Sequence, residues 1–416
     1  MNNISERRWI TAAIVALLPI ACLTVRADVI TEWNTKAGQT VVDADLGAPQ
    51  ANCVLSMVQT AVYEAVNAIT GRYKESMITI AAARGASIDA AVAAANRAVL
   101  AKLVPSRRRT IDSLYEHALQ LLEDGPAKSG GIVVGEKAAD AVLAMRAEDV
   151  SPSGESYRPF TVPGEYVPTV IPAATQHPKR KPWFMTNPAQ FRPGPPPRLS
   201  SEVWARDYNE IKAIGSTNST LRTAAQTEIA RFWEETMPPI YCGVVCSVAL
   251  MPGREVTRNA RLYAIVAQAC DDALIAIMDA KYHYRFWRPI TAIRNGDLDS
   301  NSATERDPSW TPFITTPMHP EYPCAHCIVS GAVGTILKAE IGDGPCPTLT
   351  TRSAAAGGAT RSWTSIDDFM TEVANARIYD GVHFRNSTQV GTAMGRQIGE
   401  LAVATFELPT SKGSDR

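Results

Sequence analysis

The feature that most constrains the fold is one run of apolar residues at helical spacing. Leu262, Ile265, Val266, Ala269, Cys270, Ala273, Leu274 and Ile277 recur at i, i+3, i+4 and i+7. So long a stripe predicts a buried amphipathic helix, and the helix runs on into Lys281. Ala-rich stretches at 53–69, 87–103, 107–122 and 131–145, and periodic segments at 202–214 and 223–235, read as further helices. No alternation of apolar and polar residues persists long enough to predict a sheet. The expected class is therefore all-α, a large helical bundle.

The first 27 residues carry Arg7-Arg8, an apolar run at 9–25 and a Val25-Arg26-Ala27 end, which read as a secretory signal peptide cleaved after Ala27. That run is short for a membrane span, and nothing later approaches one. Residues 28–150 read as an N-terminal helical region. At 151–200 Pro, Gly and aromatic residues replace the helical pattern, and Trp183, Phe184 and Phe191 predict a loop packed over helices. Residues 201–410 form the expected helical core. About 390 residues exceed the usual single-domain size, although one large helical domain can hold them. The chain has 41 basic and 42 acidic residues; losing three Arg and one Glu with the leader leaves a formal charge of −3, which argues against a nucleic-acid partner. Seven of eight cysteines remain, an odd number, so an oxidising compartment leaves at least one thiol unpaired in a monomer.

Three clusters in the last third carry the chemistry. Lys281 and Arg288 lie seven residues apart, nearly two helical turns, which predicts both on one side of a helix that Pro289 ends or kinks. Tyr282, Tyr284, Phe286 and Trp287 between them predict burial, and a buried cation needs an anionic partner. In the second cluster an extended Pro320-Glu321-Tyr322-Pro323 loop leads to Cys324-Ala325-His326 at the N-terminus of a helix, where free N–H groups bind anions. In the third, Arg377 ends a helical stretch, and a turn at Asp380-Gly381 would bring it to the same site as His383. Three cations can neutralise a tetrahedral oxyanion, while histidines supply a nucleophile or metal ligand and a proton donor.

Lys281-x6-Arg288-Pro289, then Tyr322-Pro323-Cys324-Ala325-His326, then Ala376-Arg377-x5-His383 resembles the three-part signature of the vanadium-dependent haloperoxidases and type 2 phosphatidic acid phosphatases. Residues 61–69 and 191–197 also resemble secreted bacterial members of the haloperoxidase branch. The resemblance implies a secreted or periplasmic bacterial enzyme. It further implies that Lys281, Arg288, Arg377, Cys324 and Ala325 bind a vanadate or phosphate oxyanion, that His383 is the axial metal ligand, and that His326 is the acid–base group. As a haloperoxidase the protein would hold vanadate and take hydrogen peroxide and a halide. As a phosphatase it would use no metal and take a phosphate ester, with His383 as nucleophile. His319 falls where fungal chloroperoxidases resemble one another in carrying Phe and algal bromoperoxidases in carrying His, which leans toward bromide. A non-catalytic periplasmic oxyanion-binding protein and a homo-oligomer both stay open.

Two positions depart from the pattern. Cys324 stands where Ser is usual and Ala325 where Gly is usual; the thiol is oxidisable, and Ala is strained if the site needs positive φ. Cys324-Ala325-His326-Cys327 can be read as a local disulfide, as a zinc site with His319, or as two small buried residues. Zinc fits poorly, because no second ligand pair follows at a suitable distance. His283 and His117 read as structural, His177 as a loop histidine with no evident partner, and Arg294, Arg385 and Asp380 as ordinary ion-pair formers.

Overall fold

The computed structural model describes residues 27–73, 78–150, 157–235 and 238–406. Of the expected leader at 1–27, residues 1–26 lie outside the described residues. Five helices form the first part of the chain: α1 (Val29–Asp43), α2 (Ala48–Thr70), α3 (Ile88–Leu103), α4 (Arg108–Gln120) and α5 (Pro126–Met145). Then come α6 (Glu202–Ile214), α7 (Ala224–Phe232), α8 (Pro238–Ala249), α9 (Val256–Tyr284), α10 (Pro289–Arg294), α11 (Ala325–Ile341), α12 (Ile366–Tyr379) and α13 (Arg385–Thr405). Helix α2 is buried nearly all round from Ala51 to Asn67 because it lies among α3, α5 and α9. Helix α9 in turn packs on α11 and α13, so it joins the two halves of one apolar core.

Two expectations are corrected. A short antiparallel hairpin, β1 (Leu349–Ser353) and β2 (Ala359–Trp363), interrupts the helices, with Leu349 opposite Trp363. Five-residue strands are too short for alternation to stand out in the sequence. Lys281 and Arg288 also do not share a helix. Helix α9 stops at Tyr284, where Arg285 adopts a left-handed conformation (φ 50°) and caps it. Arg288, preceding Pro289, is held extended (φ −79°, ψ 155°), and Pro289 starts α10 at its first position rather than ending α9.

Helices α11 and α13 approach closely through a glycine stripe. A Cβ on Gly395 would lie 2.1 Å from the carbonyl of Ile328, and one on Gly391 2.6 Å from that of Cys324. The absent side chains therefore set how near the two helix N-termini come.

Residues 157–200 form a strap with only one short 3-10 turn, anchored along α9. Asp272 accepts the backbone N–H groups of Trp183 (2.6 Å), Phe184 (2.8 Å) and Met185 (3.1 Å). Asp271, fully buried, accepts from Arg180 Nη2 (2.8 Å), the Trp183 indole (2.9 Å) and the Ser56 hydroxyl (3.1 Å). Asp279 holds Arg192 through two bonds of 2.8 and 2.9 Å. His177, expected to lack a partner, is buried in this cluster with Nε2 3.9 Å from Asp271. Burial pushes its imidazole down to about 4, against the pull of Asp271.

Candidate oxyanion site

The three sequence clusters meet around the N-termini of α11 and α13. Lys281, in the last turn of α9, is fully buried and donates from Nζ to the carbonyls of Pro320 (2.9 Å) and Glu321 (2.7 Å). It thereby fixes the loop ahead of α11. Arg288 is also buried; it donates from Nε to the carbonyl of His319 (2.8 Å) and from Nη1 to that of Val382 (2.9 Å). One guanidinium thus ties the second cluster to the third. Burial, reinforced for Lys281 by neighbouring Arg288, pushes the Lys281 ammonium well down and brings Arg288 to about 10. Cations so destabilised favour any anion that reaches them.

The turn at Asp380-Gly381 forms as expected. Gly381 takes φ 78°, and the N–H groups of Val382 and His383 return to the carbonyl of Arg377 (3.3 and 3.2 Å). A side chain at Gly381 would also meet the backbone of Gly215 at 2.3 Å. Arg377 donates to the carbonyl of Trp233 (2.7 Å) and pairs with buried Asp380 at 2.5 Å, while its Nε is buried with no hydrogen-bond partner among the described residues. The Asp380 pair is the third cluster's own, and burial drives that carboxyl up to about 7 despite Arg377.

His383 has a partner to which the sequence reading gave no role. Its Nδ1 lies 2.8 Å from Oε1 of Glu321, which also accepts the N–H of Phe384 at 3.0 Å. An oxygen already accepting one N–H directs the imidazole to donate from Nδ1, which leaves the lone pair on Nε2. That nitrogen faces Arg288 Nη1 at 3.4 Å. Burial, then Arg288, Lys281 and Arg377, hold the ring neutral, far below its ordinary value. Glu321 itself is fully buried, and burial raises it to about 7 against Lys281 and Arg288. The only sequence signal for it was an acidic residue in an otherwise apolar loop.

His326 lies in the first turn of α11, buried, with Nε2 lacking a hydrogen-bond partner among the described residues. Burial and then Arg377 push its pKa well down, opposed by backbone groups of Glu235 and Trp233. His319 is half-buried, with Nδ1 3.0 Å from Arg288 Nη2. The same Nδ1 lies 3.1 Å from the carbonyl of Pro320, so it meets a donor on one side and an acceptor on the other. Cys324 is the N-cap residue of α11 and makes no side-chain capping bond, and its backbone N–H is taken by the carbonyl of Ser387 (3.2 Å). Ala325 is helical, not at positive φ, so the departure from Gly carries no strain. All seven described cysteines are free, and no group of three His, Cys, Asp or Glu that could hold a metal ion occurs among the described residues. The disulfide and zinc readings of Cys324-Cys327 are therefore not met. His283 and His117 are exposed and away from these contacts.

Among the described residues no helix is long and apolar enough to cross a membrane. Residues 261–410 match the family model of the VCPO second helical-bundle domain. The vanadium chloroperoxidase of Curvularia inaequalis is 27% identical over 268 residues, which are 51% of this chain and 43% of that protein, so the match spans less than half of that relative's length. Among solved structures, a bacterial vanadium-dependent iodoperoxidase is similar with a TM-score of 0.79 at 23% identity, covering 92% of this chain and 98% of that one. The apo form of a bacterial vanadium-dependent chloroperoxidase gives 0.71 at 16% identity, covering 87% of this chain and 95% of its own. These structural likenesses show a shared helical fold.

Proposed function

We propose that the chain is a member of the vanadium-dependent haloperoxidase and type 2 phosphatidic acid phosphatase superfamily and a vanadate-dependent haloperoxidase that oxidises a halide, bromide first, with hydrogen peroxide; the match of residues 261–410 to the VCPO second helical-bundle domain supports this reading. The observation that carries this is His383: a neutral imidazole whose Nδ1 is held by Glu321, so that its Nε2 lone pair is directed toward buried Arg288. A carboxylate behind the imidazole is the arrangement that raises the basicity of a metal-ligating histidine.

The residues present fit a tetrahedral oxyanion. Lys281, Arg288 and Arg377 are all buried, and Arg377 Nε and His326 Nε2 are left without partners among the described residues. Lys281, Arg288, Arg377 and the first-turn N–H of Ala325 would hold the oxygens, and His383 Nε2 would be the ligand to vanadium. Vanadate, when bound, would supply a Lewis-acidic centre that activates peroxide without itself changing oxidation state. His326 holds or delivers a proton at Nε2. The charge of a bound oxyanion opposes Arg377 and moves this histidine back toward its ordinary range. His319, held against Arg288, stands where a halide could be oriented.

The test is bromination of a phenolic dye by purified protein with peroxide and bromide, with and without vanadate, beside hydrolysis of a chromogenic phosphate monoester. Vanadate-dependent bromination supports the proposal. Phosphate release that vanadate inhibits would make His383 a nucleophile and the protein a phosphatase, and silence in both would leave an oxyanion-binding protein.

A further inference from the structure

Asp380 closes α12 as its C-cap, three residues after Arg377, so the two side chains meet on one face of the helix end. It is a poor place for a carboxylate. The negative end of the helix dipole repels it, its side chain is fully buried, and neither Oδ1 nor Oδ2 has a hydrogen-bond partner among the described residues. What compensates is the charge of Arg377, whose Nη1 lies 2.5 Å from Oδ2. The other charges facing Asp380 are Arg222, Arg231 and Glu234. Arg222 spends its Nη1 on the carbonyls of Ile214 (2.8 Å) and Ser216 (2.7 Å), and Arg231 lies 3.3 Å from Glu234, so Arg377 is the direct counter-charge. The same contact shapes Arg377. Its Nη1 is held between Asp380 and the carbonyl of Trp233 (2.7 Å), while its Nε stays buried without a hydrogen-bond partner among the described residues. A guanidinium held by one terminal nitrogen keeps its remaining donors in a fixed plane for an anion.

We propose that Asp380 is a positioning residue of the oxyanion site: it pins Arg377 by Nη1 so that the Nε edge is offered to the oxyanion, and it takes up a proton when the oxyanion claims the guanidinium. This rests on the proposed function only for the presence of a tetrahedral oxyanion beside Arg377, whether vanadate or phosphate. The exchange follows from burial. A carboxylate without a hydrogen bond stays ionised only beside its cation, and a second anion sharing that cation raises the cost of its charge. One proton leaves the solvent, one O–H bond forms on Asp380, and nothing is oxidised or reduced. The carboxyl already lies at about 7, so a modest change in the surrounding charge carries it across neutral pH. Arg377 is thus kept neutralised while the site is empty and is released to the oxyanion when it fills.

The experiment binds tungstate, a tetrahedral dianion that exchanges no proton of its own near neutral pH, to the wild-type protein and to Asp380→Asn, by calorimetry in buffers of different ionisation enthalpy. At about pH 8 the wild type should take up about one proton more than the variant. Between about pH 6 and pH 8 its affinity should fall about tenfold more than the variant's, the effect of one linked proton over the pH unit above the carboxyl's own value. Equal proton uptake and parallel affinity profiles in the two proteins overturn the proposal. A measurement on the wild type alone guards against a variant that does not fold. The infrared difference spectrum on tungstate binding should show a protonated-carboxyl stretch that shifts when aspartate is isotopically labelled at its carboxyl carbon, and the absence of such a band overturns the proposal as well. Failure to bind tungstate at all would remove the oxyanion site and the function proposed above with it, whereas binding without the linked proton removes this inference alone.

Discussion

Replacing Glu321 by Gln tests the electrostatics of the site through stability alone. The Gln carbonyl can still accept the Nδ1–H of His383 and the N–H of Phe384, the two bonds made by Oε1. Only the ionisable proton is lost. In the native protein burial holds this carboxyl at about 7, a value that already contains the attraction of Lys281 and Arg288, against 4.5 for an exposed Glu. Between those values the native state keeps a proton that the unfolded chain has released. The unfolded state therefore binds fewer protons, and stability falls as pH rises. A separation of two to three units at 1.36 kcal/mol each amounts to about 3 kcal/mol, fully present below the unfolded value and lost once pH passes the folded one. Urea unfolding of the wild type and Glu321→Gln, without added oxyanion, at about pH 4 and about pH 8 measures it. The variant should gain about 3 kcal/mol on the wild type between the two conditions. The buried histidines slope the other way, because their lowered pKa values make protonation favour the unfolded chain, but they are common to both proteins. Parallel pH profiles would refute the reasoning and show that Glu321 ionises like a solvated carboxylate.

Other outcomes follow from the same contacts. His326→Ala should abolish turnover while bound orthovanadate is retained, measured by calorimetry, and unchanged activity would remove it as the acid–base group. His383→Ala should lose vanadate affinity, and retained affinity would remove it as the ligand. Gly395→Ala places a Cβ 2.1 Å from the Ile328 carbonyl and should lower stability by roughly 1–3 kcal/mol or more, whereas an exposed helical Gly→Ala gains about 1; a rise in melting temperature would show that α11 and α13 are less tightly apposed. Asp271→Asn removes the nearer of the two carboxylates paired with buried Arg180, leaving only Asp149 at 3.5 Å, and should cost about 3 kcal/mol, with faster proteolysis within 157–200; equal protection would mean that the strap is held elsewhere.

The helical class and the three clusters were legible because each rests on local pattern. The stripe of α9 buries the residues its spacing selects, and the loop at 320–323 leads into a helix at Ala325. Arg288 was misplaced because seven-residue spacing is only a helical argument while the helix lasts, and the left-handed Arg285 ends it first. Glu321 escaped for a different reason. Its role depends on His383, 62 residues away, and a carboxylate in a loop carries no local sign of the imidazole it will meet. The second cluster of buried charge, with Arg180 and Asp271, was hidden likewise by a separation of 91 residues. Local sequence announces cations and helices; it does not announce which buried anion keeps a given cation in place.

Helix α9 carries Asp271, Asp272 and Asp279, which fasten the strap, and Lys281, which fixes the loop before α11. The helix therefore works as a ruler with marks that cannot slide. One residue inserted between Asp272 and Lys281 would turn everything beyond it by about 100° and advance it about 1.5 Å, separating the strap's anchor points and pulling the ammonium from the carbonyls of Pro320 and Glu321. The same insertion in the strap between Met185 and Arg192 would be taken up in non-helical backbone, with both anchors kept. Length changes should thus be tolerated within 186–191 and lethal within 273–280, although neither stretch contains a residue of the proposed site.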